Sequence, residues 1–139
     1  MNNIEENKQV VLRFNREVIE QGNAGSFAEI MHKDFINRTA PPNANDANGV
    51  WNTINNVLRV AFSDLKVEIF DQIGEGDKVT SRKVISGTHT GVLMGIPPTN
   101  RKIAIDVIDI VTVKDGKYLE HWGINTLPNV IIELRKSSE

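Results

Sequence analysis

The chain contains no cysteine. That absence excludes a disulfide scaffold, thiol catalysis and thiolate metal sites together. No Lys/Arg cluster interrupts the sequence, and the formal net charge is −2 with a pI near 5.9. A nucleic-acid polyanion is therefore not expected as the main partner. No apolar run approaches the roughly 18 residues of a membrane span, and the polar, acidic start MNNIEENKQVV lacks the apolar core of a signal peptide. A cytoplasmic protein is the expectation, which leaves the sequon Asn37-Arg38-Thr39 without a glycosylation route. There is no internal repeat and no low-complexity tract. What remains is ordinary globular composition, 40% apolar and 24% charged, over 139 residues. That length predicts one domain, 1–139, able to bury a core without metal or disulfide staples.

Helical periodicity fills the first half. Ile4, Val11, Phe14 and Val18 recur at helical spacing with Val10 alongside, and Gly22-Asn23 ends the run. A short second helix is expected over Ser26 to Met31, with Ser26 as N-cap and Phe27, Ile30 and Met31 inward. The stretch RTAPPNANDANG reads as loop. A third helix follows, with Val50, Ile54, Val57, Leu58 and Ala61 on one face. After Ser63-Asp64 the period drops to 2. Leu65, Val67 and Ile69 open a strand, GEGD turns the chain, and strands follow over Lys78 to Thr90, Lys102 to Val113 and Lys117 to Asn125. Thr126 caps a last helix with Pro128 in its first turn and Val130, Ile131 and Leu134 inward. Helices first and a meander of long strands afterwards predict an α+β fold, with helices packed on one face of a mainly antiparallel sheet.

One residue breaks the pattern of the Lys102 to Val113 strand. Ile103, Ile105, Val107, Asp109, Val111 and Val113 share a face, so a carboxylate sits among five aliphatic side chains. Such a group needs a partner or a pocket. A two-residue Asp-Gly turn would set Asp109 opposite Trp122 and push Glu120 onto the apolar face. A three-residue Lys-Asp-Gly turn with a bulge at Gly116 sets Asp109 opposite His121 and keeps Glu120 outside, and is the preferred register. An Asp109–His121 pair in an apolar cavity is usable acid/base equipment, or equally a structural ion pair. The opposite face carries Ile108, Ile110, Trp122 and Ile124. Its cover is expected to be a second copy of the chain, in a homodimer, or else the C-terminal helix.

The stretch GTHTGVLMGIPPTNRKIAIDVIDIVTVKDGKYLEHWG resembles the C-terminal half of SnoaL-like polyketide cyclases, of the nuclear transport factor 2-like superfamily. HKDFIN resembles the family segment after the second helix. The resemblance implies a cone-shaped α+β barrel enclosing a pocket for a small, mostly apolar, cyclic or ester-bearing ligand. It also implies cofactor-free aldol chemistry by a His on the third strand and an Asp on the fourth. In this chain those positions hold Asp109 and Gly123, so the proton-abstracting carboxylate of the motif is replaced by a residue with no side chain. By the same resemblance His89 and Asn37 line or border the pocket, and Phe14, Trp51 and Met94 are expected as apolar wall. Asp109 would then serve as base, with His121 or His89 polarising a carbonyl. The alternatives are a non-catalytic binding protein, or a hydrolase or dehydratase on the same scaffold. The histidines at 32, 89 and 121 have no metal-ligand spacing, and no metal is expected.

Overall fold

The computed structural model describes residues 3–137. Helix α1 (Ile4–Arg13) begins where the Asn3 side chain accepts a hydrogen bond from the Glu6 N–H. It widens into a π-helical segment, Phe14–Glu20, and ends at Gly22 with φ of 66°. Val11, Phe14, Asn15, Val18 and Ile19 form its buried stripe, while Ile4, at the exposed start, lies outside it. Helix α2 (Ala24–Ile30) is capped by Asn23, not by Ser26: the Asn23 side chain accepts from the Ser26 N–H. The Ser26 hydroxyl is turned inward and donates to Glu17.

Met31 is buried, as its apolar character requires, but it opens a strand and does not close the helix. Strand β1 (Met31–Asn37) runs through HKDFIN, where periodicity suggested none. The 38–46 connection carries one short 3-10 turn, Pro42–Ala44, before Asp46 caps helix α3 (Ala47–Asn52), which takes in the end of the stretch expected as loop. This helix also widens, into π-helical Thr53–Leu58, and finishes as α4 (Arg59–Ala61). Four long strands follow: β2 (Lys66–Glu75), β3 (Lys78–Thr88), β4 (Lys102–Lys114) and β5 (Lys117–Asn125). Helix α5 (Leu127–Ser137) closes the fold and buries Leu134. No helix among the described residues is long and apolar enough to cross a membrane.

The sheet order is β1-β5-β4-β3-β2, antiparallel except for the parallel β1–β5 pair. The helices cover its inner face, where Val79, Ile85, Ile105, Val111 and Val113 meet Val11, Phe14, Val18, Ile54 and Leu58 in one core. This is the α+β architecture the strand and helix order implies, with the one parallel strand added at the edge.

The β4–β5 hairpin adopts neither of the uniform registers. Its turn is the two-residue one: Lys114 pairs with Lys117, and Asp115 and Gly116 have φ of 52° and 74°. Positive φ at both central residues is what a type I′ turn needs to match the twist of the strands. The register then shifts between Val113↔Tyr118 and Thr112↔Glu120, leaving Leu119 as a bulge. The bulge solves the problem the simple two-residue register created. Glu120 moves to the outer side opposite Thr112, where it accepts from the Thr112 hydroxyl and pairs with Arg38. As a consequence His121 faces Val111, and Asp109 faces Gly123.

Candidate active site

Between the helices and the inner sheet face lies a cavity of about 170 Å³. Its helical wall is Phe14, Ile19, Val50, Thr53, Ile54 and Leu58, and its sheet wall includes Lys83, Val107, Asp109, Tyr118, His121 and Asn125. Most of the helical wall comes from the two π-helical segments. Such widened turns are rare elsewhere and recur at functional sites.

The polar groups on the sheet wall form one connected row. The Asn37 Oδ1 lies 3.0 Å from His121 Nδ1, and His121 Nε2 lies 3.4 Å from Asp109 Oδ2. The same carboxylate oxygen lies 3.2 Å from Lys83 Nζ, which donates at 2.6 Å to the Asn15 side-chain carbonyl. Asn15 is held in turn by donating to the Val11 carbonyl, i−4 on α1. Asp109 and Lys83 are 7% and 4% exposed, whereas His121 is 25% exposed. So Asp109 and His121 do touch, but diagonally, across the Gly123 backbone, and not as directly opposed residues.

Burial pushes the Asp109 carboxyl up, but the Lys83 ammonium and the hydrogen bond from His121 outweigh it and hold the group below the ordinary carboxylate range. Asp109 is thus an anion at neutral pH. The Tyr118 phenol, stacked on Phe14 at 4.5 Å, is pushed well above its usual value by burial and by the Asp109 charge. His121 has oxygen atoms facing both ring nitrogens, an arrangement that the doubly protonated ring satisfies in full. With the Asn37 amide turned over, the neutral ring is satisfied too, Nε2 still donating to Asp109.

Of the residues singled out in the sequence, Phe14, Asn37, Asp109 and His121 line this cavity, and His89, Trp51 and Met94 do not. His89 is fully buried against Phe62, ring centroids 6.0 Å apart, and its Nδ1 accepts from the Thr99 N–H. It anchors the 89–100 loop. Met94 stands at that loop's tip, 61% exposed with φ of 47°. Trp51 packs on Phe27 at 4.9 Å and is not among the cavity-lining residues.

Lys83, Asn15 and Tyr118 were not anticipated, and two of them had a signal. Val79, Ser81, Lys83 and Ile85 alternate along β3, so a lysine stands in phase with inward aliphatics just as Asp109 does. Asn15 falls four residues after Val11, within the helical stripe. Among the described residues no group of three or more His, Asp or Glu side chains gathers in a way that could hold a metal ion.

Comparison with known proteins agrees with this architecture. Residues 9–127 match the family model of the SnoaL-like polyketide cyclases. The aklanonic acid methyl ester cyclase DnrD of Streptomyces peucetius is 28% identical over 118 residues, covering 76% of this chain and 77% of that protein. The nogalonic acid methyl ester cyclase of Streptomyces nogalater is 26% identical over 102 residues, covering 72% and 76%. In three dimensions, TsrD from Streptomyces laurentii superposes with a TM-score of 0.82 at 23% identity, over 96% of this chain and 98% of that one. The five-stranded α+β sheet, the cavity on its helix-covered face and the match over residues 9–127 together place this chain in the SnoaL-like polyketide cyclase family.

Proposed function

We propose that the cavity binds a small, mostly apolar carbonyl compound and that His121 moves a proton next to its carbonyl group. The observation that carries this is the partly open imidazole in a cavity whose helical wall is mostly apolar, backed by a buried anion at Nε2. Asp109 does not suit the role of base in this arrangement, because its ion pair with Lys83 keeps it a weak one. It suits the role of stabilising an imidazolium. His89 cannot polarise a ligand in this cavity from its place under the 89–100 loop.

In this reading neutral His121 donates from Nε2 to Asp109, and Nδ1, once the ligand displaces the Asn37 amide from it, takes a proton from the carbon beside the carbonyl. The enolate attacks a second carbonyl of the same molecule, one C–C bond forms, and the new alkoxide recovers the proton from His121. Atoms and electrons balance without an added oxidant or reductant. The two curated relatives are named as methyl ester cyclases, which makes ring closure of a carbonyl-rich ester the first reaction class to try. The cavity sets a size limit: about 170 Å³ is close to the roughly 150 Å³ that accommodates benzene in an engineered protein cavity. A single ring, or one ring of a larger molecule reaching out of the mouth, is the expected occupant. The outer sheet face, with Ile108 and Ile124 in solvent, is the proposed contact of a homodimer.

The test is α-proton exchange of 2-methylcyclohexanone in D₂O, followed by NMR. The parent should accelerate exchange, and His121→Gln should lower the enzymatic rate by about 100-fold or more. An unchanged rate in His121→Gln would rule out this role. A second reading, a non-catalytic binder, is favoured by the same ion pair that weakens Asp109 as a base. Saturable binding of the ketone without exchange would select it.

A further inference from the structure

Gly123 is a glycine that its own backbone does not demand. It is not among the glycines at positive φ, which are Gly22, Gly76, Gly95 and Gly116. It lies within β5, where a residue lacking a side chain weakens a strand, and such a glycine commonly marks a close approach of another group. A Cβ placed on it would come within 2.8 Å of His121 Cε1 and 3.2 Å of His121 Nε2, with Asp109 Cβ at 3.7 Å. The imidazole therefore lies in the space that any side chain at 123 would fill.

The register explains why it must. Asp109 pairs with Gly123 and not with His121, so the ring reaches the carboxylate only by leaning along its own strand over position 123. We propose that Gly123 is a positioning residue whose missing side chain opens the lane through which His121 reaches Asp109. This rests on the reading of His121 as the proton-transfer group, and it assigns to a backbone position the geometry that the pair needs. The atom a new methyl group would meet is the end of a rotatable side chain. The ring, and not the sheet, would yield, turning away from Asp109. The Gly123 N–H, which donates to the Thr39 hydroxyl at 3.1 Å, is unaffected by adding a Cβ.

The experiment is a mutant cycle read by NMR of the His121 ring and by urea denaturation. In the parent background Asp109→Asn should shift the His121 ring resonances clearly. In the Gly123→Ala background the same substitution should leave them nearly in place, and α-proton exchange should fall at least tenfold. Gly123→Ala should denature at the same urea concentration as the parent or higher. If it folds poorly, the His121→Ala background decides. Gly123→Ala is harmless there if the ring is what the methyl group meets, and equally damaging if the glycine serves the backbone, which overturns the proposal. Equal Asp109→Asn shifts in both backgrounds would overturn it as well. The resonances and denaturation midpoints need no substrate. A parent without exchange activity would thus fail the acid/base reading while leaving this inference to be decided on its own.

Discussion

Strand β4 presents two faces that invert the usual rule of polar outside and apolar inside. On the inner face Asp109 and, beside it on β3, Lys83 are almost wholly buried among Ile105, Val111 and Val113. On the outer face Ile108 is 46% exposed, and its β5 neighbour Ile124 is 70% exposed. The difference lies in the partners each side supplies. The inner charges meet one another, His121 and Asn15 at hydrogen-bond distance, so their desolvation is offset in part, although Asp109 Oδ1 has no hydrogen-bond partner among the described residues. The outer Ile108 and Ile124 stay largely in solvent, because the core that the helices share with the sheet lies on the inner face. Burial in this fold follows the availability of a partner more closely than the polarity of the side chain.

The largest way to break that comparison is to remove one inner partner. Lys83→Met removes the cation from buried Asp109 and leaves it the longer contact to His121, and should lower the unfolding free energy by about 3–5 kcal/mol in urea denaturation. Lys83→Met with Asp109→Leu should recover most of that loss, since an apolar pair no longer asks for compensation. A single variant as stable as the parent would mean that the inner charges are not a coupled pair.

A middle-sized effect sharpens the electrostatics of the same face. Tyr118 is the chain's one tyrosine, so a phenolate rise near 295 nm above the constant background of Trp51 and Trp122 is its own. Its folded-state pKa is raised, so the neutral phenol contributes stability at pH below its unfolded value of 10.0, and that contribution is lost as the pH rises above it. The native protein should show no phenolate absorbance until it unfolds in alkali, and Asp109→Asn should bring ionisation to lower pH. Reversible ionisation of the folded protein near pH 10 would contradict the buried, anion-facing placement.

The smallest expected effect on stability belongs to the outer face. Ile124→Lys should change the unfolding free energy of the monomer by no more than about 0.5 kcal/mol, as surface substitutions usually do. It should nevertheless convert a dimer into a monomer in sedimentation at tens of micromolar. A parent that is already monomeric at that concentration would remove the second copy as the cover of this face.

Much of the site was legible before any coordinates. Asp109 stood out because the period of 2 is strict, and any charge in phase with Ile105 and Val111 must face the core. The same argument applied to Val79, Ser81, Lys83 and Ile85 would have found the lysine. Strand β1 was not legible, because His32, Lys33 and Asp34 break its alternation and its parallel partner β5 lies over 80 residues away. The histidines show the limit most clearly. His89 and His121 both sit in recognisable motifs, yet one is sealed beneath a loop and the other opens on the cavity.

Sequence by itself determined the helices, the four long strands, the α+β class and the presence of a charge on an apolar strand face, because these follow from local periodicity and turn chemistry. Tertiary structure alone decided which charges meet. The Leu119 bulge, forced by the need to keep Glu120 outside, moved Gly123 opposite Asp109. The imidazole could then reach the carboxylate only across that glycine. A one-residue slip in register leaves hydrophobic periodicity almost unchanged, yet it reassigns every cross-strand contact beyond it, and those contacts are the site.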